Sequence, residues 1–258
     1  MKFLLKPFLW IYVIYAMALF LLMMLIIFPL VIAASFFGRI KGGNFIYQLC
    51  SLWADAWLFI IGIYHKKIIE SAVNKKTHYI FISNHISYLD IPQMLKAIRQ
   101  PMRILGKAEM TKIPVFGFIY KSAAVSVDRG STEKRAKSVM QLKSILKKDI
   151  SVFLCPEGTF NMTNQPLKEF YDGAFRIAIE TQTPIKPLLF LDTYDRLYYK
   201  SVFTLNPGRL RTVYLEDISP DGYTLQDVNA FKQKVYDIME NKLKQYKASW
   251  LPPSPEGG

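Results

Sequence analysis

The chain has 258 residues, 51% of them hydrophobic, and 33 Lys and Arg against 20 Asp and Glu, a net charge of +13. That length holds one sizeable domain plus a membrane segment, and two cysteines do not make a disulfide framework. Without zinc-ligand spacing or an RNA-binding aromatic motif, the basic balance points away from nucleic acid and toward anionic lipid headgroups or a polyanionic substrate. The charge is uneven: residues 1–64 hold only Lys2, Lys6, Arg39, Lys41 and Asp55, so residues 65–258 carry a net +10.

From the N-terminus, Phe8 to Phe37 is a run of thirty residues without a charge. About 20 apolar residues cross a bilayer core, so the run predicts a transmembrane helix, expected to kink or end at Pro29. Lys2 and Lys6 look like the basic start of a signal peptide, but the apolar core is far too long for one. Phe45 to Tyr64 is less pure. Gln48, Ser51 and Asp55 fall on one helical stripe there, and Trp53, Trp57 and Tyr64 suit a membrane interface. This segment is expected to lie as an amphipathic or re-entrant helix at the membrane surface, a second full span being the alternative.

After Lys66, short apolar strands alternate with helical patterns, predicting an α/β fold with a mixed sheet flanked by helices behind N-terminal hydrophobic membrane helices. Candidate strands are His78–Ser83, Met102–Leu105, Ala123–Val127, Val152–Leu154, Ile185–Leu191 and Arg211–Leu215. Candidate helices are Tyr88–Ile98, Val115–Lys121, Thr132–Lys148, Gly173–Thr181 and Leu225–Lys244, the third carrying a basic face expected to be solvated. The division expected is 1–64 for the membrane anchor, 65–248 for the α/β domain and 249–258 for a loose Pro-rich tail. Cys50 and Cys155 read as reduced thiols of a cytoplasmic domain.

The chemistry gathers at Ser83-Asn84-His85-Ile86-Ser87-Tyr88-Leu89-Asp90, where an apolar strand gives way to a helical pattern. A carboxylate reaching back to the imidazole Nδ1–H would fix the tautomer and leave Nε2 to accept a proton. Positions five apart diverge by about 140° on a continuous helix, so the pair requires His85 before the helix and Asp90 in its first turn. Ser87 to Asp90 also fits a capping box, in which Asp90 serves only the helix N-terminus. Three further segments share a strand-end address with His85: Lys107 to Gly117, Asp128-Arg129-Gly130, and Pro156-Glu157-Gly158-Thr159. In α/β sheets, ligands collect outside the carboxyl ends of the strands. There Arg129 would present a fork suited to phosphate, and Glu157-Gly158-Thr159 a turn plus a hydroxyl. No metal-ligand pattern joins His65, His78 and His85.

Together these blocks resemble the glycerolipid, or lysophosphatidic acid, acyltransferase family over roughly His65 to Leu191. Asn84-His85 with Asp90 is similar to the family's catalytic motif, Val127-Asp128-Arg129 to its glycerol-phosphate motif, and Pro156-Glu157-Gly158-Thr159 to its third block. Pro184-Ile185-Lys186-Pro187 resembles its fourth. Lys107, Glu109, Ile113, Pro114 and Gly117, and Gly173-Ala174-Phe175, match as well. The resemblance implies His85 and Asp90 as catalytic residues and Lys107, Arg129, Glu157, Gly158 and Thr159 as substrate-binding residues, with no metal and no cofactor. It implies an integral cell-membrane enzyme facing the cytoplasm that moves a fatty acyl group from acyl-CoA or acyl carrier protein to 1-acyl-sn-glycerol-3-phosphate. One position departs: the family usually follows Glu-Gly-Thr with Arg, and this chain has Phe160. That departure keeps open a lysolipid without phosphate, such as an aminoacyl lysolipid, and a non-catalytic membrane-surface binding module is the other alternative.

Overall fold

A computed structural model of the protein describes residues 6–127 and 131–252. Helix α1, Lys6–Ser35, runs unbroken through Pro29. The expected break does not occur: proline removes one hydrogen bond, whereas ending the helix would leave several carbonyls unpaired in an apolar setting. Among the described residues α1 is the one helix long and apolar enough to cross a membrane.

A π-helical segment, Gly38–Gly42, leads into α2, Gly43–Ile60. The alternative of a second full span is not met, and two residues of the α2 polar stripe, Ser51 and Asp55, face the protein. Asp55 accepts from Lys96 Nζ at 2.9 Å and from Arg99 Nη2 at 2.6 Å, and the buried Ser51 hydroxyl donates to the Tyr47 carbonyl. Trp57 Nε1 donates to the Ala16 carbonyl of α1 at 2.9 Å, and Phe20 packs edge-on against Trp53 and Trp57.

The seven strands are β1 (Ile63–Ile69), β2 (Ile80–Ser83), β3 (Met102–Lys107), β4 (Ala124–Val127), β5 (Ser151–Leu154), β6 (Ile185–Phe190) and β7 (Gly208–Tyr214). They form one sheet in the order β1-β7-β6-β2-β5-β3-β4, parallel throughout except for β6 against β7. Between them lie α3 (Asp90–Ala97), α4 (Phe116–Ala123), α5 (Thr132–Leu146), α6 (Gly173–Thr181) and α7 (Thr193–Arg196), and α8 (Val228–Gln245) follows β7. Edge strand β1 was not anticipated, since His65, Lys66 and Lys67 interrupt its apolar pattern.

Alternate residues of each strand feed opposite layers. Ile80 and Ile82 pack with Leu142 of α5, Phe175 of α6 and Phe231 of α8. Phe81, Phe153 and Phe190 pack on the other face with Met94 of α3, Ile119 of α4 and Ile46 of α2. Burial on both faces explains why β2, β5 and β6 read as continuous apolar runs. It also leaves the carboxyl end of the central strand, β2, as a rigid platform.

Candidate active site

His85 lies just past the end of β2, and Asp90 is the first residue of α3. The geometry required of the pair is present: His85 Nδ1 lies 2.8 Å from Asp90 Oδ2. The same oxygen accepts the backbone N–H groups of Ile86 and Ser87 at 2.8 and 2.9 Å. Asp90 thus braces the turn before α3 and holds the imidazole at once, whereas the capping box does not form, because α3 begins at Asp90 with Leu89 as its N-cap and no side-chain cap. With Nδ1 as the donor to Asp90, Nε2 carries the lone pair. The carboxylate is 1% exposed and the imidazole 20%, so one partner is locked in the protein while the other meets the outside.

Asn84 ties this junction to the sheet. Its amide donates to the Phe190 carbonyl and accepts the Phe190 N–H, each at 2.9 Å. The segment after β5 then clamps the histidine's main chain. Glu157 Oε1 accepts the His85 N–H at 2.8 Å, and the Asn161 N–H donates to the His85 carbonyl at 2.7 Å. Glu157 Oε2 takes the Lys168 N–H at 2.9 Å. Both carboxyl oxygens are occupied and the side chain is buried, so Glu157 acts as an internal brace rather than an exposed ligand. Burial raises its pKa to about 8 against the opposing pull of the two N–H bonds. Gly158 follows at φ +72°, a left-handed turn that favours glycine. The Thr159 hydroxyl accepts from Lys168 Nζ at 2.7 Å.

Phe160 is the residue whose position only the structure reveals. Its ring sits 4.4 Å from the His85 imidazole and 4.8 Å from Tyr88, edge-on to both, with Tyr199 at 6.3 Å. The aromatic group forms an apolar wall beside the imidazole. Lys107 is exposed at the end of β3, in register with Val127 at the end of β4. The next residues, Asp128, Arg129 and Gly130, lie outside the described residues. Lys186 of the fourth block turns away from His85, toward Ser71 and Asp217. His65 is also structural: its Nε2 lies 2.7 Å from Thr212 Oγ1, and burial, then Lys67, Lys96 and Arg99, lower its pKa to about 3. Among the described residues no group of His, Cys, Asp and Glu converges to hold a metal, and neither cysteine is in a disulfide.

A His–Asp pair at the carboxyl edge of a largely parallel sheet sits where ligands collect and can take and return a proton there. Residues 65–191 match the family described as Acyltransferase, and this part of the chain is an acyltransferase-family domain. A coconut (Cocos nucifera) 1-acyl-sn-glycerol-3-phosphate acyltransferase is 26% identical over 179 residues, covering 69% of this chain and 58% of that protein. The mouse (Mus musculus) 1-acyl-sn-glycerol-3-phosphate acyltransferase alpha is 32% identical over 166 residues, covering 62% of this chain and 57% of its own length. The chain thus spans less than two thirds of these relatives. The crystal structure of the 1-acyl-sn-glycerophosphate (LPA) acyltransferase PlsC from Thermotoga maritima shares the fold, with a TM-score of 0.74 at 20% identity over 98% of this chain and 100% of that one.

Proposed function

We propose that this protein is a membrane-bound O-acyltransferase that moves a fatty acyl group from acyl-CoA or acyl carrier protein to the free hydroxyl of 1-acyl-sn-glycerol-3-phosphate, giving phosphatidic acid. The observation that carries the reading is the 2.8 Å contact between His85 Nδ1 and Asp90 Oδ2 at the open end of β2. His85 Nε2 takes the proton of the acceptor hydroxyl as its oxygen attacks the thioester carbonyl. Asp90 stabilises the imidazolium, which then protonates the departing thiolate as the tetrahedral intermediate collapses. The substrate hydroxyl is the nucleophile, so the chain needs none of its own, and no Gly-x-Ser-x-Gly elbow is present. As written, the reaction uses no cofactor.

The acceptor phosphate is assigned to Arg129 with Lys107, whose strand ends lie side by side. Helix α1 holds the enzyme in the cell membrane, where lysolipid and acyl chains partition, and the α/β domain faces the cytoplasm, where thioester donors are made. Phe160 supports a second reading. An aromatic ring beside His85, where the resembled family usually has Arg, favours a lysolipid headgroup of lower charge, such as an aminoacyl lysolipid. Acyl transfer by purified membranes across a panel of lysolipids separates the two. Activity with 1-acyl-glycerol-3-phosphate, and an acceptor KM raised far more than the donor KM in Arg129→Ala, supports phosphate. A wild type that ignores that acceptor and acylates a phosphate-free lysolipid overturns it.

A further inference from the structure

A groove of about 510 Å³ runs along the edge strand β4, between α5 and the segment that follows α1. Arg39, Arg103, Lys121, Lys134, Lys137 and Lys148 all line it, and among the described residues no Asp or Glu does. Lys134 and Lys137 come from the basic face of α5, which the sequence alone assigns to solvent, and Lys148 follows just past its end.

The groove's floor carries a second, independent observation. Arg103 is only 5% exposed, yet among the described residues no carboxylate pairs with it. Its guanidinium instead donates to the carbonyls of Met102, Arg39 and Ile40 at 2.9, 2.6 and 3.3 Å. Its place is reserved by Gly43, where a Cβ would collide with Arg103 Nη2. A buried cation without a counterion is costly and is relieved by an anion that binds beside it.

The position of the groove selects among anions. The groove runs the length of the β3–β4 edge: Arg103 and Ala124 stand at the amino ends of these strands, and Ala108 and Ser126 at their carboxyl ends, the edge that also bears His85. From β4 across β3 and β5 to β2 is three strand spacings, about 14 Å. Its volume lies in the range of small-molecule sites, roughly 300–1,000 Å³. An acidic helix of a carrier protein, about 10 Å across, would rest on such a recess rather than enter it.

We propose that this groove binds the adenosine 3′,5′-bisphosphate end of a CoA thioester, with the pantetheine arm running along the carboxyl edge of the sheet to His85. The site rests on the acyl-transfer reading for its purpose but not for its measurement. The exposed phenylalanines Phe36 and Phe37, between α1 and Arg39, set the groove beside the end of the membrane helix. A donor whose acyl chain partitions into the bilayer arrives at that level.

The test is equilibrium binding of adenosine 3′,5′-bisphosphate to the full-length, detergent-solubilised protein, which needs no turnover and so separates failure of this site from failure of acyl transfer. Saturable binding is expected, weakened about 10-fold in a Lys137→Glu, Lys148→Glu double variant. It should change by less than about twofold in Lys147→Glu, a substitution beside Lys148 but outside the groove. In turnover assays the bisphosphate should compete with acyl-CoA, and the double variant should raise the donor KM alone. No binding by wild type overturns the proposal, as does binding that the double variant leaves unchanged. A raised acceptor KM assigns the groove to the lysolipid. Loss of partition to vesicles containing phosphatidylglycerol, with the donor KM unchanged, assigns it to the membrane surface. A raised KM for acyl carrier protein thioesters only assigns it to protein docking. Each of these three results refutes the nucleotide site.

Discussion

Glu157 Oε1 lies 2.8 Å from the backbone nitrogen of His85, so a buried carboxyl from the end of β5 sets the main-chain position of the imidazole at the end of β2. Glu157→Gln keeps one acceptor but turns an amide N–H₂ toward a backbone N–H. Losing one such bond costs about 1–3 kcal/mol. We expect turnover to fall by about 10- to 100-fold with acceptor and donor KM little changed, measured by initial rates. A shift confined to KM would show that Glu157 touches substrate.

Proton transfer makes its own prediction. His85→Ala should lower turnover by about 10²–10⁴-fold with the circular dichroism spectrum retained. Asp90→Asn should fall by a similar factor, since an amide oxygen in the Oδ2 place can keep the three contacts but lacks the negative charge that stabilises the imidazolium. The double variant should be no worse than the poorer single one, because the two residues act as a unit. Turnover within about threefold of wild type in His85→Ala would exclude the dyad.

Phe160 walls one side of the imidazole at 4.4 Å. Phe160→Ala should admit water to His85 and raise thioester hydrolysis relative to transfer by several-fold, with a loss of about 0.5–1.5 kcal/mol in ring contacts. Product analysis with and without acceptor reads that ratio directly.

Stability should pass through a maximum with pH. Glu157 has its pKa raised from 4.5 to about 8, so its contribution is complete below about pH 4.5 and is lost as pH rises through 8. His65 has its pKa lowered from 6.5 to about 3, so its contribution is complete above about pH 6.5 and is lost as pH falls toward 3. Thermal unfolding of Glu157→Gln should lack the alkaline decline, and His65→Gln the acid one. Parallel curves for all three proteins would refute both assignments.

The membrane anchor is tested by extraction. High salt and alkaline carbonate should leave the protein in the pellet while detergent releases it, because α1 is held by apolar burial rather than by charge. Release by salt would make the attachment electrostatic. Proteolysis of sealed vesicles that places Gly258 outside the cytoplasm would reverse the expected orientation.

Composition and motif spacing by themselves determined the apolar helix, the alternating α/β pattern and the His85–Asp90 pair, because each is local: a charge-free run, short apolar strands between helical patterns, a junction five residues long. What distant segments do to one another lay beyond them. Edge strand β1 exists only because β7 lies alongside it from Gly208 to Tyr214. The partners of Asp55, Lys96 in α3 and Arg99 just past it, are 41 and 44 residues away and not legible from the stripe. The resemblance implied Glu157 as substrate-binding, whereas the fold buries it against two backbone N–H groups 11 and 72 residues away. Phe160 read as a missing cation and is in fact a ring against the catalytic candidate. Spacing along the chain fixes which residues can be neighbours on one element; only the packing of seven strands and their helices decides which partners meet across elements, and so which charges are braces and which remain open to a ligand.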